Sequence, residues 1–298
     1  MSTESLRRYY RLLSTVALTG PRRQTGMMHR ALWRDGVTDQ RTALMQVSRL
    51  IAEALAHADI PVRPRDATVL DLGCGIGGTA TWLAATHGYT VVGITLSPVQ
   101  AAAARRRAAA AGLSGATFAV GDFHRLPFAD GRSFTAAYAI ESFAHSPDPA
   151  GFFAEAARVM RPGGLLVVCD DVLADAGTLA AGARRTRWVE RFRQGWRLGS
   201  LLTAGQIATY AAAAGFAPAV EWDLSRYVPP IRRRLAVQLA ARLPGGGELG
   251  RALRGSMACA IAHQEGWLGY RLFAWTRAGA AVATGQMADQ VSSDSISL

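Results

Sequence analysis

The 298-residue sequence contains few cysteines, no lysine and no long apolar run. Its three cysteines, Cys74, Cys169 and Cys259, are odd in number and far apart, which argues against a disulfide framework and against a zinc site. The longest apolar runs, such as residues 165–169, are far shorter than the roughly 20 residues that cross a bilayer, so we expect no membrane span. The first residues also lack the apolar stretch of a signal peptide. These absences lead us to expect a cytoplasmic protein.

The formal net charge of +11 comes from arginine, since lysine is absent. An arginine-rich balance is compatible with a nucleic acid, an acidic membrane surface or an anionic small substrate as partner. It is equally typical of a high-GC genome, which is rich in Arg and Ala codons. No Asn-Pro-Pro-Tyr tetrad and no added RNA-binding domain is recognisable, so we expect a small-molecule substrate and no nucleic acid. A homodimer is compatible with the sequence, which does not decide the oligomeric state.

Composition and periodicity indicate one large α/β domain. Half of the residues are hydrophobic and 18% are charged, which is typical of a globular chain with a full core. From residue 67 onward, short apolar runs alternate with alanine-rich helices, and this alternation predicts a mostly parallel sheet. The predicted strands are residues 68–72, 90–94, 117–120, 134–140, 165–169 and 270–276.

Three other regions flank or interrupt this alternation. Residues 1–60 are helical in character and predict an N-terminal lid, with an amphipathic helix over 41–58. The main domain is predicted over 61–278, with cover insertions near 174–202 and 227–260, where the alternation breaks. Residues 279–298 are small and polar, and predict a flexible tail.

The most informative segment is the run V-L-D-L-G-C-G-I-G-G at residues 69–78. An apolar strand leads directly into closely spaced glycines, Gly73, Gly75 and Gly77, so the backbone can turn tightly and approach a ligand. Asp71 lies inside the strand end, where an unpaired carboxylate is costly. Held there by backbone amides, this carboxylate could receive an amino-bearing ligand. An aspartate that only caps the turn is the alternative.

This run resembles the first motif of class I S-adenosylmethionine (SAM)-dependent methyltransferases, and the resemblance covers about residues 65–170. It implies a Rossmann-like fold with a mostly parallel seven-stranded sheet, helices on both faces and a helical cover. It also implies SAM as cofactor, with Asp71 near its methionine end and the three glycines beneath it. A nicotinamide enzyme would instead place an acid about 20 residues further on.

The second strand ends in G-I-T-L-S-P-V-Q at residues 93–100, where most class I methyltransferases have an acid at position 95. The run resembles a subgroup that includes tocopherol, sterol and prenyl diphosphate methyltransferases, with cyclopropane synthases close by. This resemblance implies that Thr95, Leu96 and Gln100 hold the ribose. Asp122, followed by Phe123 after the third strand, resembles the adenine-binding acid of the family. A surface turn is the alternative for Asp122.

Two candidate catalytic residues, Glu141 and His145, follow the fourth strand. Ligands of open parallel sheets bind outside the carboxyl ends of the strands, so these side chains are expected to face the sulfonium of SAM. Their spacing would place them on one face if the segment were helical. A hydroxyl acceptor favours His145 as general base. An alkene acceptor leaves a carbocation, which a carboxylate such as Glu141 would stabilise. Glu141 also resembles a glutamate of the sterol and tocopherol enzymes.

Aromatic residues and arginines are candidates for the substrate pocket. The aromatic candidates are Tyr9, Tyr10, Phe143, Trp188, Trp196 and Tyr227, although aromatics at helical spacing also serve as core residues. The arginine cluster over residues 184–197, represented by Arg184 and Arg193, and the triplet at 232–234 could hold a diphosphate, with Mg²⁺ as a bridging ion. A solvated helix face is the alternative for these arginines.

The sequence therefore predicts a SAM-dependent methyltransferase of a lipophilic small molecule. The preferred reaction is C-methylation of an isoprenoid such as a prenyl diphosphate, in specialised metabolism. The alternative is O- or N-methylation of a natural product, because the cofactor motifs serve both. A catalytically inactive SAM-binding scaffold is a third possibility, which the presence of Glu141 and His145 makes less attractive.

Overall fold

The computed structural model describes residues 22–58, 67–130, 134–175, 182–230 and 247–279. Its helices are α1 (Arg22–Thr25), α2 (Gln40–His57), α3 (Gly78–His87), α4 (Pro98–Ala110), α5 (Pro149–Val159), α6 (Ala183–Trp196), α7 (Ala204–Ala213) and α8 (Gly247–Gln264). Its strands are β1 (Thr68–Leu72), β2 (Thr90–Thr95), β3 (Ala116–Val120), β4 (Phe134–Ile140), β5 (Met160–Leu173), β6 (Phe216–Asp223) and β7 (Leu268–Arg277). Short 3₁₀ turns cover Phe143–His145 and Ser225–Tyr227.

The seven strands form one sheet in the order β3-β2-β1-β4-β5-β7-β6. Strands β1 to β5 run parallel, while β7 is antiparallel to both β5 and β6. The direction of winding reverses between β1 and β4, so a crevice opens outside the carboxyl ends of these strands. This confirms the predicted Rossmann-like, mostly parallel sheet and places the candidate site at that edge.

Two apolar layers hold helices against the faces of the sheet. On one face, Val69 of β1 and Val167 of β5 lie in a core that also contains residues of α2, α3 and α4. On the other face, Leu70 of β1 and Leu166 of β5 lie in a core that contains residues of α5 and α7. Alternation along each strand sends successive side chains to opposite faces, so central strands covered on both faces are apolar throughout.

Strand β6 was not predicted from the sequence. It lies at the edge of the sheet, and five of its eight residues are exposed in the burial pattern Beeeieie. Pro218 interrupts its apolar pattern, and proline is tolerated in edge strands because one side of the strand needs no ladder hydrogen bond. The short, exposed strand therefore gave too weak a signal.

The two predicted interruptions contain helices. Helix α6 lies in the first and α8 in the second, and the two pack so closely that a Cβ on Gly195 would lie 2.5 Å from Cα of Gly255. Residues 1–21 and 280–298 lie outside the described residues, so the predicted helical lid is described only from residue 22 and the predicted tail only at Gly279. No described helix is both long enough and apolar enough to span a membrane.

Candidate active site

The glycine turn after β1 forms the floor of the candidate site. Gly73, Gly75 and Gly77 have φ angles of 99°, 52° and 77°, a left-handed backbone that favours glycine. Gly77 caps α3 without a side-chain hydrogen bond, so no capping side chain covers the first amide groups of the helix. The N–H groups of Gly73, Cys74 and Gly77 donate to carbonyls within the protein, so a ligand at the turn would meet the first amide groups of α3.

Asp71 lies buried beneath this turn, with 4% of its surface exposed. Its Oδ2 accepts a hydrogen bond of 2.8 Å from the Tyr138 hydroxyl, which takes the place of the backbone amides expected from the sequence. Burial raises the pKa of Asp71 to about 7, although the Tyr138 hydrogen bond opposes the rise. A carboxyl group in this position would be stabilised as an anion by a positively charged amino group.

Thr95 and Gln100 form one polar unit at the end of β2. The Thr95 hydroxyl donates to Oε1 of Gln100 at 2.7 Å, and both residues are buried. Nε2 of Gln100 lies 3.8 Å from the sulfur of Met28, and Leu96, which follows Thr95 in the chain, is half-buried. The structure thus brings together the three residues that the motif implied for the ribose.

Asp122 and Phe123 lie at the neighbouring strand end, after β3. Oδ1 of Asp122 accepts hydrogen bonds from the backbone N and from Nδ1 of His124, each at 2.9 Å. The Asp122 side chain is 44% exposed. Phe123 is half-buried, with its ring centroid 5.3 Å from that of Phe152. Both the adenine-binding role and the turn role remain compatible with this arrangement.

Glu141 adopts a strained backbone directly after β4, with φ of 48°. Such a conformation in a residue other than glycine costs of order 1–3 kcal/mol and is most frequent at functional sites. Ser142 then donates from its hydroxyl to the carbonyl of Leu72 at 2.5 Å, which fixes the segment against the glycine turn. The condition for a helical face shared by Glu141 and His145 is therefore not met, because Glu141 has a left-handed backbone and His145 ends a 3₁₀ turn.

One oxygen of Glu141 is fully engaged within the protein. Oε1 accepts hydrogen bonds from the backbone N of Arg30 at 2.8 Å, from Nε of Arg30 at 3.3 Å and from the Tyr270 hydroxyl at 3.0 Å. Among the described residues, no hydrogen bond to Oε2 is found. A hydrogen-bond donor that reached this carboxylate would therefore meet Oε2.

Arg30, which the sequence did not single out, connects Glu141 with a second acid. Its guanidinium donates to Oδ2 of Asp171 at 2.5 Å, lies 2.9 Å from Nε2 of His263 and stacks 4.5 Å above the Tyr270 ring. Burial alone would lower the pKa of Arg30, but Asp171, Cys259 and Glu141 outweigh it and raise the pKa. Burial likewise would raise the pKa of Asp171, yet Arg30 and His263 bring it below the ordinary value.

One cluster among the described residues has the donor types of a transition-metal site: Asp171, Cys259 and His263 have ligand atoms within 4.8 Å of one another. The Arg30 guanidinium contacts all three, at 2.5 Å, 3.6 Å and 2.9 Å. Burial also raises the pKa of the Cys259 thiol, which disfavours the thiolate that a metal needs. The cluster therefore binds the guanidinium of Arg30, and with Arg30 in place it does not fit a divalent metal ion.

His145 lies at the end of the 3₁₀ turn as a neutral imidazole at pH 7. Burial lowers its pKa to about 4, against smaller opposing effects of a hydrogen bond with the backbone of Arg197 and of Glu141. Asp170 holds the turn by accepting from the backbone N of Ala144 at 2.9 Å, and burial with the neighbouring Asp171 raises its pKa to about 8. A neutral His145 can accept a proton from a group that becomes strongly acidic during reaction.

The aromatic residues predicted to line a substrate pocket lie in different surroundings. Phe143 and Trp188 are 1% and 3% exposed and belong to packed cores, so they offer almost no surface to a ligand. Trp196 donates from Nε1 to Ser256 at 3.1 Å, on the packed pair of α6 and α8. Tyr227 is half-buried beneath Arg34, whose guanidinium lies 5.5 Å from the ring. Tyr9 and Tyr10 lie outside the described residues.

The predicted diphosphate anchors already have acidic partners. Arg184 pairs with Glu265 at 3.2 Å and Arg193 with Glu190 at 2.8 Å, and the two arginine side chains are 54% and 48% exposed. This exposure favours the solvated helix face over a diphosphate site, since ion pairs on the surface leave a long side chain in water. The triplet at 232–234 lies outside the described residues.

A short stretch between α1 and α2, residues 26–30, covers the glycine turn and is called the cover segment below. A Cβ on Gly78 would lie 2.4 Å from the carbonyl of Gly26 and 2.7 Å from the nitrogen of Met27. The Met28 sulfur would lie 2.9 Å from a Cβ on Gly75. The cover segment therefore packs directly on the turn that is expected to hold the cofactor.

This contact makes Gly78→Ala a specific test of the cover segment. The added methyl group meets backbone atoms that cannot rotate away, so we expect a loss of about 1–3 kcal/mol in the free energy of unfolding, measured by urea denaturation. Gly205→Ala is the matched control, because nothing lies within 4 Å of its Cβ position near the start of α7. Equal stability of the two variants would contradict the packing described.

The chain matches the family model described as "Methyltransferase domain" over residues 70–168. An O-methyltransferase of Pyrenophora dematioidea is 32% identical over 249 residues, which cover 83% of this chain and 87% of that protein. The 27-O-demethylrifamycin SV methyltransferase of Amycolatopsis mediterranei (strain S699) is 31% identical over 205 residues, which cover 68% of this chain and 71% of that protein. The 24-methylenesterol C-methyltransferase 2 of Oryza sativa subsp. japonica is 36% identical over 54% of this chain, but only 44% of that protein is covered.

Solved structures share the fold at low sequence identity. The cyclopropane synthase MmaA2 from Mycobacterium tuberculosis has a TM-score of 0.72 at 19% identity, covering 93% of this chain and 98% of that one. Geranyl diphosphate C-methyltransferase from Streptomyces coelicolor A3(2), solved with Mg²⁺, geranyl diphosphate and S-adenosyl-L-homocysteine, has a TM-score of 0.67 at 20% identity, covering 92% and 97%. At these identities the likeness shows the fold alone.

Proposed function

The chain belongs to the class I SAM-dependent methyltransferases, and from this premise we propose that it transfers the methyl group of SAM to a hydroxyl group of a lipophilic small molecule. SAM is the cofactor of this enzyme. Two relatives that match along most of their length are named for O-methylation or O-demethylated substrates. The proposal of a hydroxyl acceptor rests on these two relatives and on the geometry around Glu141.

The observation that carries the proposal is the hydrogen bond from Ser142 to Leu72. It joins the segment that contains Glu141 to the end of β1, where the glycine turn begins. It holds Glu141 next to the glycine turn, with one carboxylate oxygen engaged and the other available. We propose that Asp71 receives the amino group of SAM and that Thr95 with Gln100 holds its ribose. Asp122 would then bind adenine, with Phe123 beside it.

Methyl transfer by direct displacement depends on holding the acceptor in line with the methyl group and the sulfur. We propose that Oε2 of Glu141 accepts a hydrogen bond from the acceptor hydroxyl and so orients its oxygen toward the methyl group. Bound SAM would supply the methyl group, its C–S bond breaking as the O–C bond forms, and the acceptor oxygen would then be positively charged and strongly acidic. Its proton passes to Glu141 or to the neutral His145, so a low pKa of the imidazole is no obstacle at that stage.

A second candidate is C-methylation of an isoprenoid, which the sequence favoured and which the sterol C-methyltransferase relative supports over part of the chain. In that reaction an ionised Glu141 would stabilise a carbocation and remove a proton. A diphosphate substrate with bridging Mg²⁺ has less support, because Arg184 and Arg193 already pair with glutamates.

Radiolabelled SAM offered to separate acceptor sets distinguishes the two reactions. We expect labelled methyl ether from lipophilic alcohols or phenols, and no labelled C-methylated product from prenyl diphosphates with or without Mg²⁺. Fragment masses from tandem mass spectrometry of the product identify the methylated atom. Labelled isoprenoid alone would overturn the proposed hydroxyl acceptor in favour of C-methylation, whereas transfer to neither set would contradict both.

A further inference from the structure

Two residues of the cover segment, Met27 and Arg30, bind it to the rest of the protein. The Met27 sulfur accepts hydrogen bonds from Ser48 at 3.2 Å and Thr79 at 3.5 Å, and Met27 is 2% exposed. These hydrogen bonds join the segment to α2 and to the first turn of α3. The following residue, Met28, lies over Gly75 and beside Gln100. Both belong to the proposed binding site for SAM, called the cofactor seat below, which consists of the glycine turn with Asp71, Thr95, Gln100 and Asp122.

The second of these residues, Arg30, contacts four separate parts of the fold. Glu141 follows β4, Asp171 lies on β5, Tyr270 lies on β7 and His263 lies on α8. The Arg30 side chain is 14% exposed, and the partner carboxylates are 10% and 2% exposed. In such a protected environment, charge-assisted hydrogen bonds are stronger than at the surface, and removing one partner leaves a buried charge unpaired.

We propose that Arg30 is a positioning residue for the cofactor: its grip on Glu141 and Asp171 holds Met28 over the cofactor seat and slows the release of SAM and its demethylated product. A cofactor lying on the glycine turn would be under Met28, so its departure requires the cover segment to lift. Lifting the segment breaks the contacts of Arg30. The inference rests on the proposed cofactor seat and is independent of the acceptor.

The dissociation rate of S-adenosylhomocysteine (SAH), measured by stopped-flow tryptophan fluorescence, tests this proposal without any acceptor. For Arg30→Met we expect dissociation about 10- to 100-fold faster than in the wild type, which corresponds to the loss of one or two charge-assisted hydrogen bonds. The association rate should change less than threefold. Arg30→Lys retains the charge but loses the planar fork, so an intermediate dissociation rate is expected.

Two matched variants separate this role from a general loss of stability. Arg158→Met removes another arginine network, with Glu155 and Asp130, on the opposite face of the sheet, and should lower the melting temperature without changing SAH release. Arg34→Met removes an arginine four residues after Arg30 whose guanidinium faces Tyr227. It should also leave the release rate unchanged.

Three results would contradict either the role of Arg30 or the cofactor seat. If Arg30→Met releases SAH at the wild-type rate, the positioning role is refuted while the cofactor seat stands. If Arg158→Met accelerates release as much as Arg30→Met does, the effect reflects stability alone and the positioning role is again refuted. If the wild-type protein binds no SAH, the proposed cofactor seat fails, and the role of Arg30 fails with it.

Discussion

Asp71→Asn is expected to weaken SAM binding by about 10- to 100-fold and, at the same time, to raise the melting temperature above pH 8. The affinity falls because the amino group of SAM loses a charged hydrogen-bond partner, which is worth about 1.5–3 kcal/mol. Calorimetric titration with SAM measures this loss. An unchanged affinity would remove Asp71 from the cofactor seat.

The stability gain follows from the pKa of Asp71, which burial raises from an ordinary value of 3.8 to about 7. Between these two pH values the folded state holds a proton that the unfolded state has lost, so the free energy of unfolding falls as pH rises through this window. The penalty, about 1.4 kcal/mol per pKa unit, is complete above pH 7. Asparagine avoids it and can still accept the Tyr138 hydrogen bond.

Melting temperatures recorded from pH 4 to pH 9 measure this linkage. The difference between Asp71→Asn and the wild type should be close to zero at pH 4 and largest above pH 8. Asp35→Asn is the matched control, because Asp35 is exposed and should change neither stability nor SAM affinity. A difference that is independent of pH would show that the carboxyl group of Asp71 is not the source.

Glu141→Gln is expected to lower turnover by about 10²- to 10⁴-fold, a range typical of a positioned acid–base group. Glutamine keeps the size of the side chain, and its carbonyl can still accept from Arg30 and Tyr270. It loses the charge and the second acceptor oxygen, which we propose to be used by the substrate. The expected signature is a fall in kcat with SAM affinity within threefold of the wild type.

The control for this variant is Glu155→Gln, which alters another glutamate that pairs with an arginine, Arg158, in α5. It should leave turnover within twofold of the wild type. Unchanged turnover in Glu141→Gln would exclude Glu141 from the mechanism. A parallel loss of SAM affinity would instead indicate that the variant disturbs the cover segment through Arg30.

Local signals were sufficient to predict the sheet, and they also carry the resemblance from which the cofactor seat is proposed. The glycine turn and the T-L-S-P-V-Q junction are each a strand end followed by a helix start within about ten residues, so neighbouring residues carry the whole signal. Ser97 does cap α4 by accepting from the backbone N of Gln100, as such a junction predicts. Strand β6 escaped prediction because an exposed edge strand with a proline lacks the apolar pattern of a buried one.

The partners of the site residues could not be predicted in the same way. Tyr138 meets Asp71 because the parallel register of β1 and β4 places them opposite each other, 67 residues apart. Arg30 meets Glu141 across 111 residues and His263 across 233. No pattern within a short window records such pairings, and Arg30 has no distinguishing neighbours in a chain rich in arginine.

The sequence by itself determined the fold class, because the order of short apolar and glycine-rich segments dictates the sheet. Its motifs indicated SAM, and the strand ends at which the proposed cofactor residues lie, through their resemblance to a family. Only the tertiary structure decided how charge is balanced around Glu141 and which arginine does so. Strand register and the packing of α8 on the sheet bring those groups together, and burial then makes their pairing obligatory.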